Sequence, residues 1–294
     1  MVNKRVIALG TFDGLHIGHR ELIGKAIELG QQNDIPCMIY TFTTHPLTLF
    51  NKAPRLLMSE QERIAALHRF NCEVEAVDFD AAFAALSPRD FVVRLIKEYN
   101  MAIAVAGFNY SFGAGGTGNI DELRSLGEEL GFEVCEIAPA YFDGGIVSSS
   151  RIRACLEQGD IASANSMLTE EYTMCGSVTE NRHIGRKLGF PTANIVEQAD
   201  KVLPKCGVYA TRARVCGKEY MSITNIGNNP TVNGKMTTME THILDFEGDI
   251  YGEWLSVCFV QRLREDVRFN SIQELAAQIS ADAQAARKIL GKMD

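Results

Sequence analysis

Three stretches of this chain carry residue types that do chemistry. In Gly10-Thr-Phe12-Asp13-Gly-Leu-His16-Ile-Gly18-His19, two imidazoles stand among three glycines directly after the apolar run Val6 to Leu9. That order reads as a strand, a turn and the first turn of a helix, a junction that aims backbone N–H groups and the positive helix end at one point. Glycine leaves the backbone open to close approach, and imidazole donates to charge developing on phosphorus, so the stretch suits a polyphosphate. An H-x-x-H spacing also suits a metal, but no third ligand of suitable type lies nearby in sequence. In Ser148-Ser149-Ser150-Arg151-Ile-Arg153, hydroxyls at a helix start precede two guanidiniums, which makes a second anion site. In Gly185-Arg186-Lys-Leu-Gly189-Phe-Pro191-Thr192-Ala-Asn194, a glycine-containing loop precedes a hydroxyl and an amide, both hard oxygen donors. Taken alone, Pro-Thr-Ala-Asn is a turn, and Glu240 downstream is a strand carboxylate on a solvated face.

The elements that must position these groups fall into two sets. At 294 residues the chain has room for two domains of ~150 residues each. From Lys4 to about Pro139, short β-branched runs alternate with helical segments, the mark of a Rossmann-like α/β domain with a mostly parallel sheet. After the first strand, further strands are expected at Pro36 to Phe42, Val74 to Phe79, Ala102 to Ala106 and Phe132 to Ile137. Ser59-x-x-Glu62 is a capping box, and Ser87-Pro88 places an N-cap before a proline at the first helical position. Ligands of such sheets bind at the carboxyl ends of the strands, where the glycine-rich segments 10 to 18 and 107 to 118 sit.

Past Gly144-Gly145 the texture changes, and a boundary near residue 168 divides the chain into 1–167 and 168–294. Short alternating strands near 173–180, 207–216, 220–226, 238–245 and 254–262 indicate a small β-barrel, with Trp254, Phe246 and Tyr251 read as its core. A helix from Ser271 to Leu290 closes the chain, with Ile272, Leu275, Ala276, Ile279 and Ala286 on the face that packs on the barrel.

The net charge of -8 argues against broad nucleic-acid binding, which needs a basic field over a whole face. The eight cysteines form no C-x-x-C pair and read as reduced thiols of a cytoplasmic protein. The N-terminal apolar run is too short for a signal peptide, and Met101 to Phe108 falls far short of the ~20 residues of a spanning helix, so no membrane partner is expected.

The first stretch resembles the G-x-F-D-x-x-H-x-G-H motif of ATP-binding nucleotidyltransferases, and Ser148 to Arg153 resembles that group's Ser-Ser-Thr-x-x-Arg, with Ser150 in place of threonine. Gly189-Phe-Pro191-Thr192-Ala-Asn194 is similar to the riboflavin kinase motif Gly-x-Pro-Thr-Ala-Asn. Gly207-Val-Tyr209, Asn225-Ile-Gly-x-x-Pro-Thr231, Glu240-x-His-x-x-Asp245-Phe and Tyr251-Gly252 follow in that family's order. The resemblance is to bifunctional bacterial riboflavin kinase/FAD synthetases and covers essentially the whole chain. It implies that ATP phosphorylates riboflavin to FMN in the barrel and that a second ATP adenylylates FMN to FAD in the N-terminal domain.

Site roles follow from the same resemblance. Glu240 would be the base for riboflavin's hydroxyl, Thr192 and Asn194 would hold Mg2+, and Gly185, Arg186, Gly189 and Pro191 would cradle the kinase nucleotide. Gly10, Phe12, Asp13, Gly18, His19, Ser148, Ser149 and Arg151 would bind ATP for adenylyl transfer. His16 and His19 would act on its transition state, and Asp13 would either order the loop or bind the nucleotide. His45 and Asn109 are candidate flavin contacts. Asn109 stands where the family commonly has aspartate, and Asn229 where it often has arginine. Two alternatives stay open: a riboflavin kinase with a weakened adenylyltransferase, and a flavin-binding regulator that keeps the fold. Oligomeric state is not legible.

Overall fold

The computed structural model describes residues 4–179, 190–195, 200–231 and 234–291. Gly185, Arg186 and Gly189 lie outside the described residues, as does the side chain of Asn229. The chain divides into two compact units, Met1–Ser149 and Ser150–Asp294.

The first unit runs β1 (Arg5–Leu9), α1 (Ile17–Asn33), β2 (Cys37–Phe42), α2 (Glu60–Leu67), β3 (Glu73–Val77), α3 (Ala81–Ala84), α4 (Pro88–Tyr99), β4 (Met101–Gly107), α5 (Ile120–Leu130) and β5 (Glu133–Ile137). Its strands are parallel in the order β3-β2-β1-β4-β5. Val6 and Ala8 of the central strand pack with Leu22, Ile23 and Leu67 on one side of the sheet, and Ile7 and Leu9 with Phe91, Leu95 and Leu123 on the other. Burial on both faces is why this strand is apolar throughout instead of alternating. The chain leaves β1 toward β2 and later returns on its other side as β4. The turns after β1 and β4 therefore open at the sheet's switch point, where ligands of open α/β sheets bind.

Local chemistry sets the helix starts. Ser59 and Glu62 exchange both capping bonds at the head of α2, at 2.7 and 3.2 Å. Ser87 accepts from the Asp90 N–H at 3.1 Å, with Pro88 in the first turn of α4. A hairpin not expected from the sequence, β6 (Tyr141–Phe142) and β7 (Gly145–Ile146), turns on Asp143 and Gly144 with φ of 45° and 70°. Positive φ at both central residues is what such a turn requires.

The second unit contains α6 (Ser149–Gln158), which starts at the boundary, then α7 (Ile161–Met167), β8 (Thr173–Thr179), β9 (Ala193–Ile195), β10 (Gly207–Val215), β11 (Lys218–Thr231), β12 (Gly234–Ile243) and β13 (Trp254–Arg264). The strands close into an antiparallel barrel in the order β10-β11-β12-β9-β8-β13. Alternation sorts each strand into two sets. Thr211, Ser222, Thr224, Ile226, Met239, Thr241, Leu255, Val257 and Phe259 form the buried set. Its hydroxyls satisfy one another, Thr211 with Ser222 and with Thr224 at 2.8 Å each, and Thr224 with Thr241 at 3.0 Å. On the opposite parity, Ala210 and Ile223, with Val260 of β13, meet Ala286 and Leu290 of the closing helix, Ile272–Leu290.

Two sequence expectations need correction here. Ile272 is 61% exposed: the helix's first turn is closed by the Ser271–Glu274 cap, and its buried residues are Asp282, Ala283, Ala286 and Leu290. Trp254 is 58% exposed because the inward parity of β13 falls on Leu255, Val257 and Phe259. Phe246 and Tyr251 are half-buried, with Phe246 edge-on to Tyr220 at 5.1 Å.

Candidate active sites

At the carboxyl end of β1 the backbone turns through positive φ at Phe12 (55°), Gly14 (83°) and Leu15 (41°). For Phe12 and Leu15 this is a costly conformation, and both side chains are buried in the core against α1, which offsets the strain. A Cβ on Gly10 would lie 2.9 Å from the Phe12 ring, so glycine is what lets that ring fold back over the strand end. The buried Asp13 carboxylate accepts from the Leu57 N–H at 3.0 and 3.2 Å and from the Met58 N–H at 3.2 Å, which fixes the turn to the segment ahead of α2. Ser149 Oγ donates to the Asp13 carbonyl at 2.8 Å.

Beside this turn lies Arg63, a buried guanidinium that sequence reasoning missed because an arginine on a helix reads as solvated. It donates to Thr41 Oγ1 at 2.9 Å, the Phe42 carbonyl at 2.6 Å and the Thr43 carbonyl at 2.9 Å. Thr41 Oγ1 donates in turn to the Thr11 carbonyl at 3.4 Å, so Arg63 braces the loop across β2.

His16 is the N-cap of α1, its Nδ1 accepting from the His19 N–H at 3.3 Å. With Nδ1 used as acceptor, the neutral ring carries its proton on Nε2, and that N–H is what His16 can present to a ligand. The two imidazoles stack at 3.6 Å with an interplanar angle of 17°, and Phe12 meets His19 edge-on at 5.3 Å. Burial lowers the His16 pKa to about 4. Burial, and next the nearness of His16, lowers that of His19 well below the usual value. The pair is therefore neutral at pH 7. His19 Nδ1 is buried with no hydrogen-bond partner among the described residues, a state that costs ~1–3 kcal/mol and that a ligand would relieve. At a helix N-terminus, two neutral imidazoles beside glycine backbone are groups that can hold an anion.

His45 and Asn109, also expected in this unit, follow the carboxyl ends of β2 and β4. His45, beyond β2, caps the 3-10 turn Pro46–Phe50 by accepting from the Leu47 N–H at 3.2 Å. Asn109 is exposed in the turn after β4, where the Tyr110 N–H donates to the Gly107 carbonyl at 2.9 Å. Arg151 lies on α6 in the second unit.

In the barrel, strand register assembles the second constellation. Glu240 of β12 pairs with Asn225 of β11 on one side and with Asn194 of β9 on the other. Residues paired across strands point to the same face, so Asn225, Glu240 and Asn194 form one row on the outward parity. Thr192 stands two positions before Asn194, one residue ahead of β9. Glu240 is half-buried, and burial raises its carboxyl pKa. Asn225 Oδ1 is buried with no hydrogen-bond partner among the described residues. Asn225 appears in the sequence only as part of a motif; its place beside Glu240 needed the register. A half-buried carboxylate flanked by amides and a hydroxyl can take a proton from an alcohol and hold a hard cation. Among the described residues, no group of three or more His, Cys, Asp or Glu is placed to hold a metal.

Comparison with known proteins agrees with this two-part layout. A family model described as FAD synthetase matches residues 1–151, and one described as riboflavin kinase matches residues 168–290. The bifunctional riboflavin kinase/FMN adenylyltransferase of Escherichia coli K12 is 35% identical over 292 residues, covering 97% of this chain and 93% of that protein. The proteins of the same name from Listeria monocytogenes and Bacillus subtilis are 33% and 34% identical, covering 100% and 96% of this chain and 94% and 92% of theirs. A solved Streptococcus pneumoniae structure named as a macrolide-efflux protein superposes with a TM-score of 0.90 at 30% identity, covering 98% of this chain and 95% of that one. No helix among the described residues of this chain is long and apolar enough to cross a membrane.

Proposed function

The chain belongs to the bifunctional riboflavin kinase/FMN adenylyltransferase family, and from that membership we propose which residues perform each reaction. The enzyme converts riboflavin and ATP to FMN and ADP, then FMN and ATP to FAD and diphosphate. In the barrel, Glu240 takes the proton from riboflavin's terminal hydroxyl as that oxygen attacks the γ-phosphorus of ATP and ADP leaves. Thr192 and Asn194 are the hard oxygen donors that would hold Mg2+, which when bound neutralises phosphate charge. Gly185, Arg186, Gly189 and Pro191 cradle the nucleotide.

Adenylyl transfer asks for less proton chemistry. FMN's phosphate is already ionised at neutral pH, so its oxygen attacks the α-phosphorus without a strong base, and positioning carries the step. His16 and His19 donate to the phosphate oxygens as charge builds. Gly10, Phe12 and Gly18 shape the turn, and Asp13 orders it through Leu57 and Met58. Ser148 and Ser149 join the ATP set, and Asn109 and His45 face the flavin. Eight free cysteines and a net charge of -8 support a cytoplasmic enzyme of small molecules that does not bind nucleic acid.

The observation that carries this reading is the presence of both constellations in one chain, the stacked imidazoles after β1 and the Asn194–Glu240–Asn225 row. The test is to incubate the protein with riboflavin, ATP and Mg2+ and resolve the flavins by chromatography. FMN and FAD together are expected. FMN alone would mean that Asn109, in place of the usual aspartate, has weakened the adenylyl half. Unchanged riboflavin would mean a flavin-binding regulator.

A further inference from the structure

The barrel's shortest strand raises a question of support. Among the described residues β9 spans Ala193–Ile195, and its ladder with β12 runs through the pairs Ile195–Met239, Asn194–Glu240 and Ala193–Thr241. One step further, the register would set Thr192 against His242, but the ladder stops at Ala193. Pro191 has no N–H to continue it. At this point a side chain replaces the missing backbone bond. His242 Nδ1 lies 2.8 Å from the Pro191 carbonyl, and because a carbonyl only accepts, the ring nitrogen donates. The Phe190 ring meets the same imidazole edge-on, at 5.4 Å and 81°. His242 thus holds the two residues that precede Thr192. It stands two positions from Glu240 on β12, on the same outward parity.

We infer that His242 is a positioning residue of the kinase half: its ring fixes the Pro191 backbone and so sets the Thr192 hydroxyl, just ahead of the Asn194–Glu240 pair, where it would meet Mg2+. This rests on Thr192 and Asn194 being the metal donors. His242 reaches them through the backbone, so its loss should weaken metal–nucleotide binding more than proton transfer.

The test compares His242→Ala, His242→Asn and His242→Gln in the full chain. An asparagine amide N–H falls near the position of imidazole Nδ1, whereas a glutamine amide reaches toward Nε2. In His242→Ala, the KM for MgATP and the Mg2+ half-saturation in FMN formation should rise about 3- to 10-fold, the worth of one hydrogen bond, with kcat changed less than threefold. His242→Asn should recover most of the loss and His242→Gln little of it. FMN adenylylation, assayed with FMN supplied, and riboflavin binding by fluorescence should stay native in all three. An unchanged KM in His242→Ala, or a His242→Asn no better than alanine, would overturn the inference. Thr192→Val serves as the control on the underlying reading. If it raises the Mg2+ requirement while His242→Ala does not, only the role of His242 fails; if neither does, the metal assignment fails with it.

Discussion

The proposed mechanism gives His16 two jobs, one for each ring nitrogen, and substitutions can separate them. Nδ1 caps α1 by accepting from the His19 N–H at 3.3 Å, and Nε2–H is the donor proposed for the ligand. Asparagine is among the best N-caps, so His16→Asn should keep the cap and lose the imidazole donor together with the 3.6 Å stack on His19. Losing one positioned donor to developing phosphate charge costs roughly 3 kcal/mol, or about 100-fold in rate. His16→Ala loses that and the cap as well, a further ~1 kcal/mol of stability. For a unit of this size, that lowers the melting temperature by about 2–4 °C. His19→Ala should lose the rate and keep the cap, because His19 contributes only its backbone N–H to it. FAD formation from supplied FMN and ATP, with calorimetry on the same samples, would measure both. A His16→Asn enzyme within threefold of the native rate would refute the donor role. Equal melting temperatures for His16→Asn and His16→Ala would refute the cap.

Other expectations follow from the same geometry. Glu240→Gln should lower FMN formation by about 100-fold or more, the usual contribution of a general base, and leave adenylylation of supplied FMN untouched. Because burial raises the Glu240 carboxyl, and the base must be ionised, FMN formation should rise with pH through a limb displaced above the ordinary carboxylate range; a limb at or below that range would count against the assignment. His16 is held neutral by a folded-state pKa of about 4, below its unfolded value of 6.5, so the unfolded chain takes up the proton first. Stability of the ligand-free protein should therefore fall as pH drops from 6.5 toward 4, by up to about 3 kcal/mol, and urea titrations of native and His16→Asn protein at pH 7 and 5 would show a smaller loss in the variant. Arg63→Ala strips three bonds from Thr41, Phe42 and Thr43 and should destabilise the first unit by about 2–4 kcal/mol in urea, with Arg63→Lys a poor rescue because lysine lacks the guanidinium fork.

The parts of this molecule legible in its sequence are those built from neighbours along the chain. The His16–His19 spacing, the glycines around it and the Ser59 and Ser87 caps are local, and local chemistry sets them. The βαβ order and the barrel strands also show, because burial on one or two faces writes a period into the sequence. Contacts made across the fold do not show. The Asn225–Glu240–Asn194 row depends on which residue of β12 lies opposite which of β11 and β9, and several registers satisfy the same alternation. The three described residues of β9 are too few to carry a period. Arg63 misleads because its type suggests solvent, and the Thr41 hydroxyl and the Phe42 and Thr43 carbonyls make its burial tolerable. Trp254 misleads in the opposite sense, being apolar and yet on the outward parity.

The barrel's alternation has a consequence for how the kinase comes into being. Thr241 belongs to the inner hydroxyl chain and Glu240, beside it, to the outer row. A slip of one residue in β12 would drive the carboxylate into the interior and take Thr241 out of the hydroxyl chain, leaving Thr224 with Thr211 alone, so the misaligned barrel should not survive as a compact state. Catalytic maturation and ring closure should then be a single event, with no long-lived, poorly active isomer between them. On refolding from urea, FMN-forming activity should return with the same rate constant as the near-ultraviolet signal of the packed barrel, and a lag between the two would show that the row is assembled later than the wall that carries it.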